Sequence, residues 1–338
     1  MRDLWRRRAA SVLEVLGVYL AGPLAMYGLR HALGVSVKNP LDTLTVDATN
    51  ADLLRDSLQL FVLLMFQYAG YFLLCVPVNW WHRRRGPADF GLTKHGLPWT
   101  TLVLAGVATA ALCEWPIVAV EIVNAIHPSQ TVPWRQAFMD MSWLRWQFWV
   151  FSAVASWGLI PVVEELFYRG YCQRRLAEDW GDAPAIIGAA CLFAFTHTQY
   201  LRADFYNVAM ILTLLLSAVG FGIVFAWTRS VIPCIVAHAL FDVPMTSAWQ
   251  RLLLLALFVG AVVVWRRAVP IVREVLSTGS GAACAALGVI GAVYAVLGSR
   301  ATIVPYFVSV GMLVLAVILE VREHAHAREL AANPATMK

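Results

Sequence analysis

Three short patterns set ionisable side chains into apolar surroundings: Glu164-Glu165-x3-Arg169, Phe193-x3-His197 and His238-x3-Asp242. Residues four apart share a helix face, so Glu165 and Arg169 can form an ion pair. Glu164 lies about 100° further round the helix and can project elsewhere. The same spacing puts the His197 imidazole over the Phe193 ring and the His238 imidazole beside the Asp242 carboxylate. One helix thus offers a free carboxylate next to a charge-compensated one, and two others each offer an imidazole. Groups of these types move protons, either in acid–base catalysis or along a relay.

The elements that carry the patterns are long and apolar. Ten blocks of about the length needed to cross a hydrocarbon core lie near 11–33, 56–79, 99–126, 148–172, 184–200, 207–227, 231–248, 250–265, 280–298 and 302–321. The three patterns fall in the fourth, fifth and seventh. At roughly 1.5 Å per residue, Glu164 sits about 15 Å above Arg174, while His238 and Asp242 sit about 13 and 20 Å above Arg229. His197 falls about 22 Å above Asp182, less if that helix tilts. All four can reach one buried layer. An ionisable residue at such depth costs on the order of 2.5–3.5 kcal/mol on insertion scales and so marks function.

Composition gives the same environment. Sixty per cent of the 338 residues are apolar and only 14% are charged, where a soluble domain carries roughly a quarter; the mean hydropathy is +0.66. With the N-terminus in the cytoplasm and ten spans threaded, 18 of the 26 Lys and Arg residues fall on the cytoplasmic side and 8 on the other. That is the direction of the positive-inside rule, with both termini cytoplasmic. The net charge of +5 follows from this topology and gives no support for a nucleic-acid partner. The expected fold is therefore an all-α polytopic transmembrane bundle of about ten spans, eight of them forming the core. It divides into N-terminal spans and loops (1–147), the helices bearing the three patterns (148–248), and C-terminal spans with a short cytoplasmic tail (249–338). The first span reads as a retained anchor, too long for a cleaved signal peptide. The six cysteines show no CxxC pair, so neither a disulfide framework nor a zinc-thiolate site is expected. Arginine outnumbers lysine 23 to 3, which points to a GC-rich bacterial genome and hence to a bacterial cytoplasmic membrane.

The three patterns, in this order on successive helices, resemble the motifs of the CAAX-protease and bacteriocin-processing (CPBP) family, glutamate-type intramembrane endopeptidases that include the type II CAAX prenyl proteases. The resemblance covers roughly residues 150–245. It implies that Glu164 and His197 activate a water, that Glu165 and Arg169 position the first motif, and that His238 with residue 242 stabilises the oxyanion. Residue 242 is Asp where the family commonly has Asn. An ionised aspartate has no proton to donate, so Asp242 either carries a proton at this depth or orients His238 as the donor. The substrate implied is a membrane-associated or lipidated peptide; in a bacterium a leader peptide, a sorting-signal tail or a membrane-bound partner fits better than a prenylated CAAX protein.

Other readings follow from the same residues. Glu164 could be a structural charge paired with Arg175, and Glu165 with Arg169 could simply lock two helices. Glu164, His197 and His238 could supply three zinc ligands. They come from three helices without a His-Glu-x2-His element, and the resemblance implies a metal-free mechanism with no cofactor. Glu14, Glu114 and Glu121 are expected to face the bundle as structural groups. Trp157, Phe167, Tyr168 and Tyr171 are expected to pack, and Trp143, Trp146 and Trp149 to form an interfacial belt. At the level of function, a proton-coupled transporter would use the acids and imidazoles as a relay, and a scaffold or immunity protein would keep the fold for binding alone.

Overall fold

The computed structural model describes residues 2–32, 50–82, 84, 86–110, 113, 150, 153–197, 200–201 and 205–242. Among these residues there is no strand, and helices account for most of them. The described helices are α1 (Arg2–Ala32), α2 (Asn50–Trp81), α3 (Trp99–Ala110), α4 (155–180), α5 (Asp182–Thr196), α6 (Phe205–Thr228) and α7 (Ile232–Phe241). A short 3-10 turn, Pro87–Phe90, follows α2. Asp3–Ala25 and Asn207–Thr228 are long and apolar enough to cross a membrane; α3, α5 and α7 are apolar but shorter. The blocks expected at 250–265, 280–298 and 302–321 lie outside the described residues, as do Glu114, Glu121 and the tryptophans at 143, 146 and 149.

The described part of the block expected at 148–172 belongs to a helix that runs beyond it. α4 runs without a break through a π-helical stretch (Ala155–Leu159), an α-helical one (Ile160–Glu165), a second π stretch (Leu166–Gln173) and a last α-helical one (Arg174–Trp180). Pro161 sits just after the first wide stretch, where the local ladder is already adjusted around a ring that lacks an N–H. Gly181, at φ 87°, ends the helix in a conformation that glycine adopts without strain.

α4 lies at the centre. It packs against α1, α2, α5, α6 and α7, and α1 packs along α2. The α1–α2 crossing depends on small residues: a Cβ on Gly70 would stand 2.8 Å from the Ala21 carbonyl oxygen and 2.8 Å from the Gly22 Cα. One apolar cluster joins Val15, Tyr68, Tyr71, Phe167, Tyr168 and Ile186 between α1, α2, α4 and α5. A second joins Ala105, Phe221, Cys234 and Ala237 between α3, α6 and α7. The outward faces remain strongly apolar, with Leu13 70%, Leu73 69% and Trp81 86% exposed.

Basic residues expected on one side of a membrane meet at one corner of the bundle. Arg8 donates to the Asp179 carbonyl at 2.9 Å, Arg175 to the Asp179 carboxylate at 2.8 Å, and Arg229 to both Asp182 oxygens at 2.9 and 2.7 Å. Arg84 pairs with Glu178 in the same corner. Residues at the start of α1, after α2, late in α4 and after α6 thus converge on 178–182, as up-and-down threading of successive helices requires.

Candidate active site

The site grows from the middle of α4. Glu164 and Glu165 close its inner α-helical stretch, and both are buried. Consecutive positions diverge round the axis, and the two carboxylates take different partners. Glu165 Oε1 receives Arg169 Nη1 at 3.1 Å and lies 2.8 Å from His238 Nδ1. Glu164 Oε1 accepts the hydroxyl of Tyr68 from α2. The second oxygen of each carboxyl, Oε2, is buried without a hydrogen-bond partner.

Arg169 is fully buried, and it is held on three sides. Its Nη2 donates to the Ala218 carbonyl of α6 at 3.1 Å. The guanidinium lies 4.9 Å from the Phe193 ring centre and 5.1 Å from that of Phe221, so aromatic faces supply part of the stabilisation that water would otherwise give. Gly170, the next residue, allows α4 to approach the 3-10 turn: a Cβ there would overlap the Phe90 carbonyl.

His238 enters from α7, stacked near Phe221 at 5.6 Å and edge-on to Phe193 at 5.6 Å. A carboxylate only accepts, so the Nδ1 proton is donated to Glu165. The opposite nitrogen, Nε2, lies 3.6 Å from Asp242 Oδ2 and 3.9 Å from Glu164 Oε2. Asp242 follows the last turn of α7 and is half-buried; Trp157 Nε1 donates to its backbone carbonyl at 3.3 Å.

His197 stands where α5 ends, its ψ of 62° turning the chain out of the helix. Its Nδ1 lies 3.0 Å from the Phe193 carbonyl oxygen and donates to it, which leaves Nε2 as an acceptor. The ring is 5.0 Å from Phe193, as the four-residue spacing predicts. Next to it, Thr196 Oγ1 joins the hydroxyls of Tyr168 (2.5 Å) and Tyr19 (3.1 Å), fastening the end of α5 to α4 and α1.

The structure therefore gathers Glu164, Glu165, Arg169, His238 and Asp242 into one connected cluster, with His197 beside it. Arg175 is not the partner of Glu164: it donates to Glu14 and Asp179 instead. Phe167, Tyr168 and Tyr171 are packed in the core. Tyr68 is the group that the three patterns did not announce. It lies in an apolar helix nearly a hundred residues upstream, and no spacing ties it to them. Among the described residues no group of three or more His, Cys, Asp and Glu side chains is arranged to hold a metal ion.

Residues 145–244 match the family described as type II CAAX prenyl endopeptidase Rce1-like. This is the relationship that the three motifs suggested, and the matched segment contains all six of their ionisable residues. No curated protein and no solved structure matches the chain.

Proposed function

We propose, starting from that family match, that the chain is an intramembrane glutamic endopeptidase that hydrolyses a peptide bond in a membrane-associated or lipidated substrate. Its setting is a polytopic bundle of about ten spans in a bacterial cytoplasmic membrane, with both termini cytoplasmic. The apolar outward faces and the basic corner described above support a membrane setting. The observation that carries the chemistry is the meeting of Glu164 and His238 from separate helices, in a buried cluster beside His197.

In this reading a water lies between Glu164 and His197. Glu164 takes one of its protons, and the Nε2 lone pair of His197 directs the water toward the scissile carbonyl carbon. As the new C–O bond forms, negative charge moves to the carbonyl oxygen. His238 donates to that oxygen from Nε2, in a site where excluded solvent makes each donor effective. Since Nδ1 already donates to Glu165, an Nε2 donor makes His238 a cation. The carboxyl groups of Glu165, Asp242 and Glu164, at 2.8, 3.6 and 3.9 Å, balance that charge. Collapse of the intermediate breaks the C–N bond, and the proton held by Glu164 passes to the leaving amine. Arg169 and Glu165 hold the frame. No metal is required, because water activation and charge stabilisation are both supplied by side chains.

The test uses the purified full chain in liposomes, with a farnesylated peptide ending in Cys-aliphatic-aliphatic-X and the same peptide without the lipid. Cleavage of the lipidated probe, lost in Glu164→Gln and retained after chelator treatment, is the expected result. Cleavage that persists in Glu164→Gln removes the proposed base. Activity lost to chelator and restored by zinc replaces the proposal with a metal mechanism.

A further inference from the structure

We propose that Tyr68, on a helix outside the family-matched segment, is a positioning residue of the catalytic centre, holding Glu164 so that one defined carboxyl oxygen is presented as the base. The proposal rests on the endopeptidase reading for its function, but its geometry is independent of it.

A free carboxylate can rotate, and either oxygen can serve as acceptor. Here the Tyr68 hydroxyl donates to Glu164 Oε1, while Oε2 has no partner and faces the side of His238 Nε2, 3.9 Å away. The two oxygens have become inequivalent. Such fixing of a reacting group removes rotational freedom before substrate arrives.

The tyrosine itself cannot easily move. It is 3% exposed, and its ring is part of the core cluster with Tyr71, Phe167 and Tyr168. One turn further along α2, Tyr71 stacks on Phe167 of α4 with ring centres 4.1 Å apart. The two rungs have the same offset, since 164 − 68 and 167 − 71 are both 96. α2 and α4 therefore run in matched register, and sliding either helix would break both rungs together. Gln67 holds the Tyr71 hydroxyl at 2.8 Å, and the close approach at Gly70 seats α2 against α1.

The hydroxyl needs a reason to be there. A phenylalanine would fill the same apolar volume, and burying an O–H is unfavourable unless it finds a partner. The partner is Glu164, the base of the proposed reaction.

The experiment compares Tyr68→Phe with Tyr71→Phe in the full chain in liposomes. Tyr71→Phe removes a hydroxyl of the same helix that does not bond Glu164. Two readouts are taken. The first is kcat and KM on the farnesylated Cys-aliphatic-aliphatic-X peptide. The second, without substrate, is the infrared carboxyl band of Glu164, identified by its loss in Glu164→Gln. The proposal expects Tyr68→Phe to lower kcat per folded molecule at least about tenfold with KM within about twofold, and to move the Glu164 band to higher frequency. Tyr71→Phe leaves kcat and the band unchanged. An unmoved band in Tyr68→Phe overturns the proposal, as does an equal loss of kcat in both variants, which would mark a packing effect. If Glu164→Gln cleaves the farnesylated peptide as well as the wild type does, the endopeptidase reading falls; if the wild-type chain leaves it intact, the prenylated substrate falls; in either case the infrared band alone decides whether Tyr68 holds the carboxyl.

Discussion

Arg169 Nη1 and His238 Nδ1 both bind a single oxygen, Oε1 of Glu165, at 3.1 and 2.8 Å. The guanidinium and the imidazole come from different helices, and one carboxylate oxygen ties them together. Breaking such a buried pair by removing one member leaves an uncompensated charge. Arg169→Met is therefore expected to cost roughly 3–5 kcal/mol of stability and to abolish cleavage. Arg169→Lys keeps the charge, but a single ammonium cannot reach Glu165 and the Ala218 carbonyl as the forked guanidinium does. It should retain part of the stability and little of the activity. Unfolding midpoints in detergent, measured beside cleavage rates, check both; a stable and active Arg169→Met would remove the ion pair from the framework.

Asp242 stands on the Nε2 side of His238, 3.6 Å away, whereas Glu165 occupies the Nδ1 side. An amide in place of the carboxyl could still hold His238 from that side or itself donate to an oxyanion. Asp242→Asn is accordingly expected to keep much of the cleavage rate, and Asp242→Ala to lose most of it. Initial rates on the lipidated probe separate the two. Complete loss in the asparagine variant would show that the negative charge of Asp242, rather than its geometry, is what the reaction uses.

Most of the cluster is legible in the sequence because it obeys local rules. Glu165 and Arg169 meet across one helical turn, and so do Phe193 with His197 and His238 with Asp242. Depth within each apolar block brought Glu164 and His238 to one layer. What could not be read were contacts between distant segments that no periodicity encodes. Tyr68 is one aromatic residue among many in α2, and only the packing of α2 on α4 brings it to Glu164. Arg175 was a plausible mate for Glu164 along the chain. The two π stretches of α4 alter its winding, and the side chain is claimed by Glu14 of α1 and by Asp179 one turn on. Nor could hydropathy reveal that the block at 148–172 continues to Trp180.

The basic corner allows a contrast between two ion pairs of unequal burial. Glu14 takes both of its interactions with Arg175 at 3.0 Å, accepts the Tyr171 hydroxyl at 3.2 Å and lies 3.0 Å from His82 Nε2. With 17% of the Glu14 side chain and 9% of Arg175 exposed, solvent screens little of this. Asp182 and Arg229 form a forked pair of good geometry, but their side chains are 30% and 55% exposed. Glu14→Ala should therefore cost about 2 kcal/mol, through lost charge-assisted hydrogen bonds, and Asp182→Ala less than about 1 kcal/mol, an effect that salt erodes. Both sit far from the Glu164 layer, so the cleavage rate per folded molecule should stay at the wild-type value. Unfolding in detergent at low and high salt, with rates normalised to folded protein, tests the pair. Equal costs for the two variants would mean that burial does not set the strength of these contacts. A lower rate in folded Glu14→Ala would show that α1 acts on the chemistry as well as on the packing.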